Sequence, residues 1–199
     1  MNFLAHVYLS GADQEKAIGN FIADSVRGKQ YVDYPKGIQH GILLHREIDT
    51  FTDTHAIWRQ NKKLLVPTYN HYAAVIIDMY YDHFLAKNWL DYHEVPLEEY
   101  AARFYALLED NVALLPAKVQ NFLPIMIREN WFTCYETVDG LGYILQQMDR
   151  RTKGVSKMSR ATTELLLYYD IMEADFIRFF KELEAHVSFI QDSPRFTAI

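Results

Sequence analysis

The feature that most constrains this chain is the spacing of its apolar residues, which recur every three or four positions and show no sustained alternation in twos. Ser10 or Asp13 can cap a helix through Ile18, Phe21, Ile22 and Val26 that Gly28 ends. Pro35 stands where a first-turn proline belongs and opens a helix through Ile38, Ile42, Leu44 and Ile48. A long helix is predicted from about Asn70 to Trp89, and Pro96 opens the next, through Tyr100, Phe104, Leu107 and Leu108. Further helices are predicted over 117–131, 134–151 and 161–190, the last with one break. With only 8 Gly and 6 Pro in 199 residues, little interrupts these stretches. The expected fold is therefore all-α, a single-domain helical bundle over 1–199, with no sheet and no internal repeat. The polar, basic stretch Asp149–Arg160 reads as a loop within that fold rather than a linker between domains.

Half of the chain is hydrophobic and 15% is aromatic, which supplies a core and excludes disorder. A net charge of −6 argues against nucleic-acid binding through a general positive field. The single cysteine, Cys134, excludes an intramolecular disulfide framework and any multi-cysteine zinc site; beside Trp131 and Phe132 it reads as a packed residue. The opening Met1–His6 has no basic n-region and no small-residue cleavage site. Apolar runs such as Tyr72–Ile77 fall far short of the roughly 20 residues that span a bilayer. A cytoplasmic protein with neither membrane nor nucleic acid as partner is expected.

Histidine and aspartate concentrate in the first 83 residues, on segments with helical spacing. His6 and Asp24 come first, and His45, Asp49 and Asp53 follow at intervals of four. Asp78, Asp82 and His83 lie inside the long, otherwise apolar helix. Residues four apart share a helix face, so His45 with Asp49, and Asp78 with Asp82, can each aim at one point. Imidazole and carboxylate groups brought together from several helices suit manganese, iron or zinc. Asp82 is flanked by Tyr80, Tyr81, Phe84 and Leu85, and a carboxylate in such surroundings needs a partner or a metal. Each residue also has a plainer reading. Any one histidine can be structural, Asp53 can belong to a turn at Thr52–Thr54, and Asp78 can pair with Arg46. His55, His71 and His93 sit near helix ends, where capping or solvent roles suffice.

These residues carry a resemblance. Met1-Asn2-Phe3-Leu4-Ala5-His6, Gly19-Asn20-Phe21-Ile22-Ala23-Asp24 with Arg27-Gly28, His45-Arg46-Glu47-Ile48-Asp49 with Thr52-Asp53, and Asp78-Met79-Tyr80-Tyr81-Asp82-His83-Phe84-Leu85 resemble, in order and spacing, the acyl carrier protein phosphodiesterase family. The likeness covers roughly the first 90 residues and thins beyond Glu129-Asn130-Trp131. It implies an HD-domain-like helical fold, although the adjacent His-Asp pair of HD proteins is absent and only Asp82-His83, in reversed order, is present. It implies hydrolysis of the phosphodiester between 4′-phosphopantetheine and a serine of holo acyl carrier protein. The cofactor implied is a divalent metal, manganese by preference, with magnesium, iron or zinc as substitutes.

On this resemblance the expected metal ligands are Asp24, His45, Asp49 and Asp82. His83 and His6 are expected to protonate the leaving serine oxygen or orient a ligand, and Arg27 and Arg46 to clamp the phosphate. Asn20 is expected to support the site or touch substrate. The carrier protein implied as partner is acidic, so it needs a local basic patch. Arg150, Arg151, Lys153, Lys157 and Arg160 offer one, and Arg59, Lys62 and Lys63 a second. Two other functions fit the same residues: a metal phosphohydrolase acting on a nucleotide or other small phosphate ester, and a non-catalytic helical binding protein. A carboxylate-histidine di-iron centre ranks last, because the Glu-x-x-His arrangement is missing from residues 1–90.

Overall fold

A computed structural model describes residues 1–191, and among them there is no strand. The first helix, α1 (Phe3–Tyr8), is only 6 residues long and has no capping side chain of its own. α2 (Gln14–Ile22) starts where Asp13 accepts the Lys16 N–H at 3.0 Å, and it tightens into a 3₁₀ turn over Ala23–Ser25. α3 (Lys36–Thr54) follows Pro35, which occupies the capping position one residue before the helix.

α2 and α3 form the most extensive helix pair in the fold. Glycine makes that possible. A Cβ on Gly19 would strike the Ile38 carbonyl, and one on Gly41 would strike the Lys16 carbonyl, so the two backbones touch where no side chain intervenes.

α4 (Ala56–Tyr69) lies in a stretch for which no helix was expected. Its buried residues Trp58, Asn61, Leu65 and Tyr69 do keep helical spacing. Asn61 occupies a core position because it donates to the Tyr81 hydroxyl at 3.0 Å, while Leu64 and Val66 face solvent. That exchange of polar for apolar hides the period. α5 (Ala73–Lys87) is the central helix, buried continuously from Met79 to Ala86. It is shorter than the predicted 70–89, whose ends are 3₁₀ turns at Asn70–Tyr72 and Trp89–Asp91.

α6 (Leu97–Asp110) follows Pro96, as expected, and α7 (Ala117–Glu129) ends at Asn130, which takes a left-handed φ of 44°. The short α8 (Trp131–Cys134) falls where the predicted helices 117–131 and 134–151 are separated, and α9 (Val138–Arg151), capped by Thr137, starts later than the second of them. The basic stretch after it is an ordered loop. Its hub is Asp149, which accepts hydroxyl hydrogens from Ser156 (2.7 Å) and Ser159 (2.6 Å). The predicted final helix breaks once, at Tyr168, into α10 (Ala161–Leu167) and α11 (Tyr169–Gln191). Phe176 and Phe179 of α11 pack with Tyr81 and Phe84 of α5, Phe180 stacks on Phe176, and the buried hydrophobic residues of all these helices form one cluster. Burial of each such ring is worth about 1.5–3 kcal/mol. Among the described residues no helix is long and apolar enough to cross a membrane.

Candidate metal centre

The close approach of α2 to α3 sets Asn20 and Asp24 against His45 and Asp49, and α1 adds His6. The His6 and His45 rings stack, 3.9 Å between centroids and 17° from parallel. One residue, Asn20, fixes both of them. Its side-chain Oδ1 faces His6 Nδ1 at 2.8 Å, and its backbone carbonyl faces His45 Nδ1 at 2.8 Å. The orientation of the amide is itself determined, because Nδ2 donates to the His6 carbonyl (2.7 Å) and the Ser10 hydroxyl (3.0 Å). Both partners of the imidazole Nδ1 atoms are acceptors, so both Nδ1 atoms carry hydrogen. In the neutral rings both Nε2 atoms then carry lone pairs.

Those lone pairs face carboxylates. His45 Nε2 lies 3.1 Å from Asp49 Oδ2 and 3.3 Å from Asp24 Oδ1, and His6 Nε2 lies 3.3 Å from Asp49 Oδ1. Acceptor against acceptor is unfavourable without a proton or a cation between them. In the cation-free protein the proton settles on His45. Burial opposes its charge, but the Asp24 and Asp49 carboxylates outweigh that and raise its pKa to about 9. His6 goes the other way, to about 4, through burial and then the neighbouring His45 charge. Asp49 is held well below the ordinary carboxylate range; burial pushes it upward, but both histidines pull it down more strongly. Asp24 is lowered chiefly by its hydrogen bond with His45.

His6 Nε2 remains the exception. It is buried and makes no hydrogen bond, because neutral His6 turns a lone pair toward the Asp49 carboxylate 3.3 Å away. A divalent cation fits this donor set. His6, His45 and Asp49 each offer one ligand atom within 4.8 Å of the others, with mixed nitrogen and oxygen chemistry. Asp24, more exposed, reaches the same His45 nitrogen.

The remaining expected residues lie elsewhere. Asp82 is fully buried, and its carboxylate is occupied by α1: Oδ2 accepts the Leu4 N–H at 2.8 Å and Oδ1 the Ala5 N–H at 3.2 Å. It caps a helix that has no cap of its own, and burial pushes its pKa up to about 7 despite those bonds. His83 is also committed, its Nδ1 to the Tyr135 carbonyl (2.7 Å) and its Nε2 to the Tyr169 hydroxyl (2.8 Å). Neighbours on a helix point about 100° apart, and this pair accordingly meets different partners, Asp82 the N–H groups of α1 and His83 Tyr135 and Tyr169.

Arg46 spends its guanidinium on the carbonyls of Val26 (3.3 Å) and Gly28 (2.8 Å), and so holds the loop that carries the exposed Arg27. Asp78 pairs with the Met1 amino group (3.2 Å) and the Trp58 indole (2.9 Å) rather than with Arg46. Asp53 is exposed near the end of α3. The double use of Asn20 is the feature that residue spacing least foretells. Its only sequence signal is a lone polar side chain one turn before Asp24 among Ile18, Phe21 and Ile22.

A family model described as acyl carrier protein phosphodiesterase matches residues 1–183. The acyl carrier protein phosphodiesterase of Photorhabdus laumondii is 31% identical to this chain over 90% of it and 91% of the relative. Those of Klebsiella pneumoniae and Salmonella dublin are 30% and 28% identical, over 92% and 94% of this chain and 95% and 98% of theirs. No solved structure matches the chain. With the match running from the first helix into the last, this chain belongs to the acyl carrier protein phosphodiesterase family.

Proposed function

We propose that this chain is a metal-dependent phosphodiesterase that releases 4′-phosphopantetheine from the serine of holo acyl carrier protein. The observation that carries the metal dependence is the pair of stacked imidazoles, both held by Asn20 with their Nε2 atoms toward Asp49 and Asp24. The family and the names of its relatives support the substrate. His6, Asp24, His45 and Asp49 are the proposed ligands. A bound divalent cation, manganese by preference, would supply Lewis acidity at a phosphoryl oxygen and an acidified water.

The protein's own contribution is orientation. Asn20 holds both rings in one tautomer, and Arg46 braces the loop that carries Arg27, three residues beyond Asp24 in the chain. Arg27 is the proposed clamp for the phosphate. Hydrolysis adds water across the bond between phosphorus and the serine oxygen. Serine leaves as the alcohol, and the phosphate stays on pantetheine. Arg150, Arg151, Lys153, Lys157 and Arg160, all exposed at and beyond the end of α9, are the proposed landing surface for the acidic carrier.

The test incubates the protein and holo carrier with manganese and follows the carrier mass. Loss of the prosthetic group is expected with wild type, and background activity with His45→Ala or Asp49→Ala. Equal cleavage after chelation, or by folded His45→Ala, would sink the proposal.

A further inference from the structure

Asp24 belongs to two places at once. Its carboxylate reaches His45 in the metal cluster, and its side chain also lines a separate cleft of about 400 Å³. That volume falls within the roughly 300–1,000 Å³ of small-molecule pockets. Four rings, Phe3, Phe21, Phe122 and Trp131, line much of it. They form a continuous arrangement: Phe3 packs on Phe21 and Phe122, and Phe122 stacks on Trp131 at 5.7 Å. Val75 and Met148 add aliphatic surface.

Polar and charged residues, Asn2, Ser25, Lys118, Glu129, Gln147 and Arg151, are set among these. Asn2 donates to the Tyr135 hydroxyl, and Gln147 gives an amide hydrogen to Glu129 at 3.1 Å, which leaves its oxygen as the accepting end. Arg151 lies over the Trp131 ring at 5.9 Å and joins the cleft to the basic end of α9.

We propose that this cleft seats the pantetheine arm of the substrate, with the arm's phosphate at the Asp24 end. The inference rests on the phosphodiesterase reading above and adds where the non-reacting part of the substrate goes. A phosphodiester held at the cluster carries the carrier protein on one side and a long, uncharged chain on the other. That chain alternates methyl and methylene groups with two amides. The cleft beginning at Asp24 offers the matching sequence of surfaces: aromatic and aliphatic walls for the hydrocarbon, and a side-chain amide for the peptide-like links. Remote binding of this kind is what holds a reacting bond in place.

The decisive measurement is calorimetry with manganese present, using free 4′-phosphopantetheine and inorganic phosphate as probes. Wild type should bind phosphopantetheine at least tenfold tighter than inorganic phosphate. Met148→Trp and Val75→Trp, which fill the cleft from half-buried and exposed positions, should erase that advantage and leave phosphate binding unchanged. Thermal melting identifies any variant that fails to fold, and the other then decides. The same variants should raise KM for holo carrier at least tenfold while hydrolysis of bis(4-nitrophenyl) phosphate stays within twofold of wild type. An advantage that survives in a folded variant, or displacement of phosphopantetheine by a long-chain fatty acid, overturns the assignment. Failure of wild type to hydrolyse either diester would instead count against the phosphodiesterase reading, while the titration still decides the cleft.

Discussion

At the scale of the residue, Asn20 carries more of the site than any proposed ligand does. Its side chain satisfies His6 Nδ1, the His6 carbonyl and the Ser10 hydroxyl, and its backbone satisfies His45. Asn20→Ala removes the first set and spares the last. Stability should fall by about 1–3 kcal/mol from the orphaned buried groups. Manganese affinity should fall about 10–100-fold, as when other outer partners of metal-binding histidines are removed. A manganese titration beside a urea melt reads both, and an unchanged titration would deny Asn20 its orienting role.

His83 makes a prediction of another kind. Its ring is buried between a carbonyl and a phenol, and burial lowers its pKa below the ordinary 6.5. As pH falls below about 6.5 the unfolded chain takes up the proton before the folded one. The stability that His83 contributes is therefore whole above that pH and drains away beneath it. Urea melts with chelator from pH 8 to pH 5 should show the gap between wild type and His83→Gln narrowing toward acid. A widening gap would contradict this.

At the scale of the element, the contact between α2 and α3 is what turns a local pattern into a site. Gly41→Ala places a methyl group against the Lys16 carbonyl, and overpacking of this sort costs about 1–3 kcal/mol. Because Asp24 follows directly from α2, the same wedge should draw it away from His45, so manganese binding should weaken as well as stability. Melting and titration of the variant test the pair of effects; a destabilised protein with intact affinity would show that the helices separate without moving Asp24.

Several elements were legible in advance. α3 announces itself through Pro35 and its apolar period, and His45 with Asp49 is a local pairing that helix geometry guarantees. α4 was not legible, because Asn61 stands where an apolar residue belongs. Asp82 was half legible. An aspartate in greasy surroundings must be compensated, but a metal and the bare N–H groups of a short helix answer that need equally well, and only the fold chooses between them.

At the scale of the whole molecule, a chain of net charge −6 must meet an acidic partner through a local surface. The cations at and beyond the end of α9 are the surface proposed for it, next to the cleft that Arg151 lines. Reversing Arg150, Arg151 and Lys153 to Glu should raise KM for the carrier about tenfold, with the difference shrinking as salt screens it. Hydrolysis of a small diester should not change. Equal KM values at low salt would remove α9 from the encounter.

One structural feature ties these scales together. A helix of six residues has no stability in isolation, and α1 is fastened by the two hydrogen bonds that Asp82 accepts. Half of the imidazole pair rides on that segment. A cation gripped by both rings would clasp the opening of the chain to its interior, so the order of the first turn and the integrity of the proposed reaction centre would be a single property.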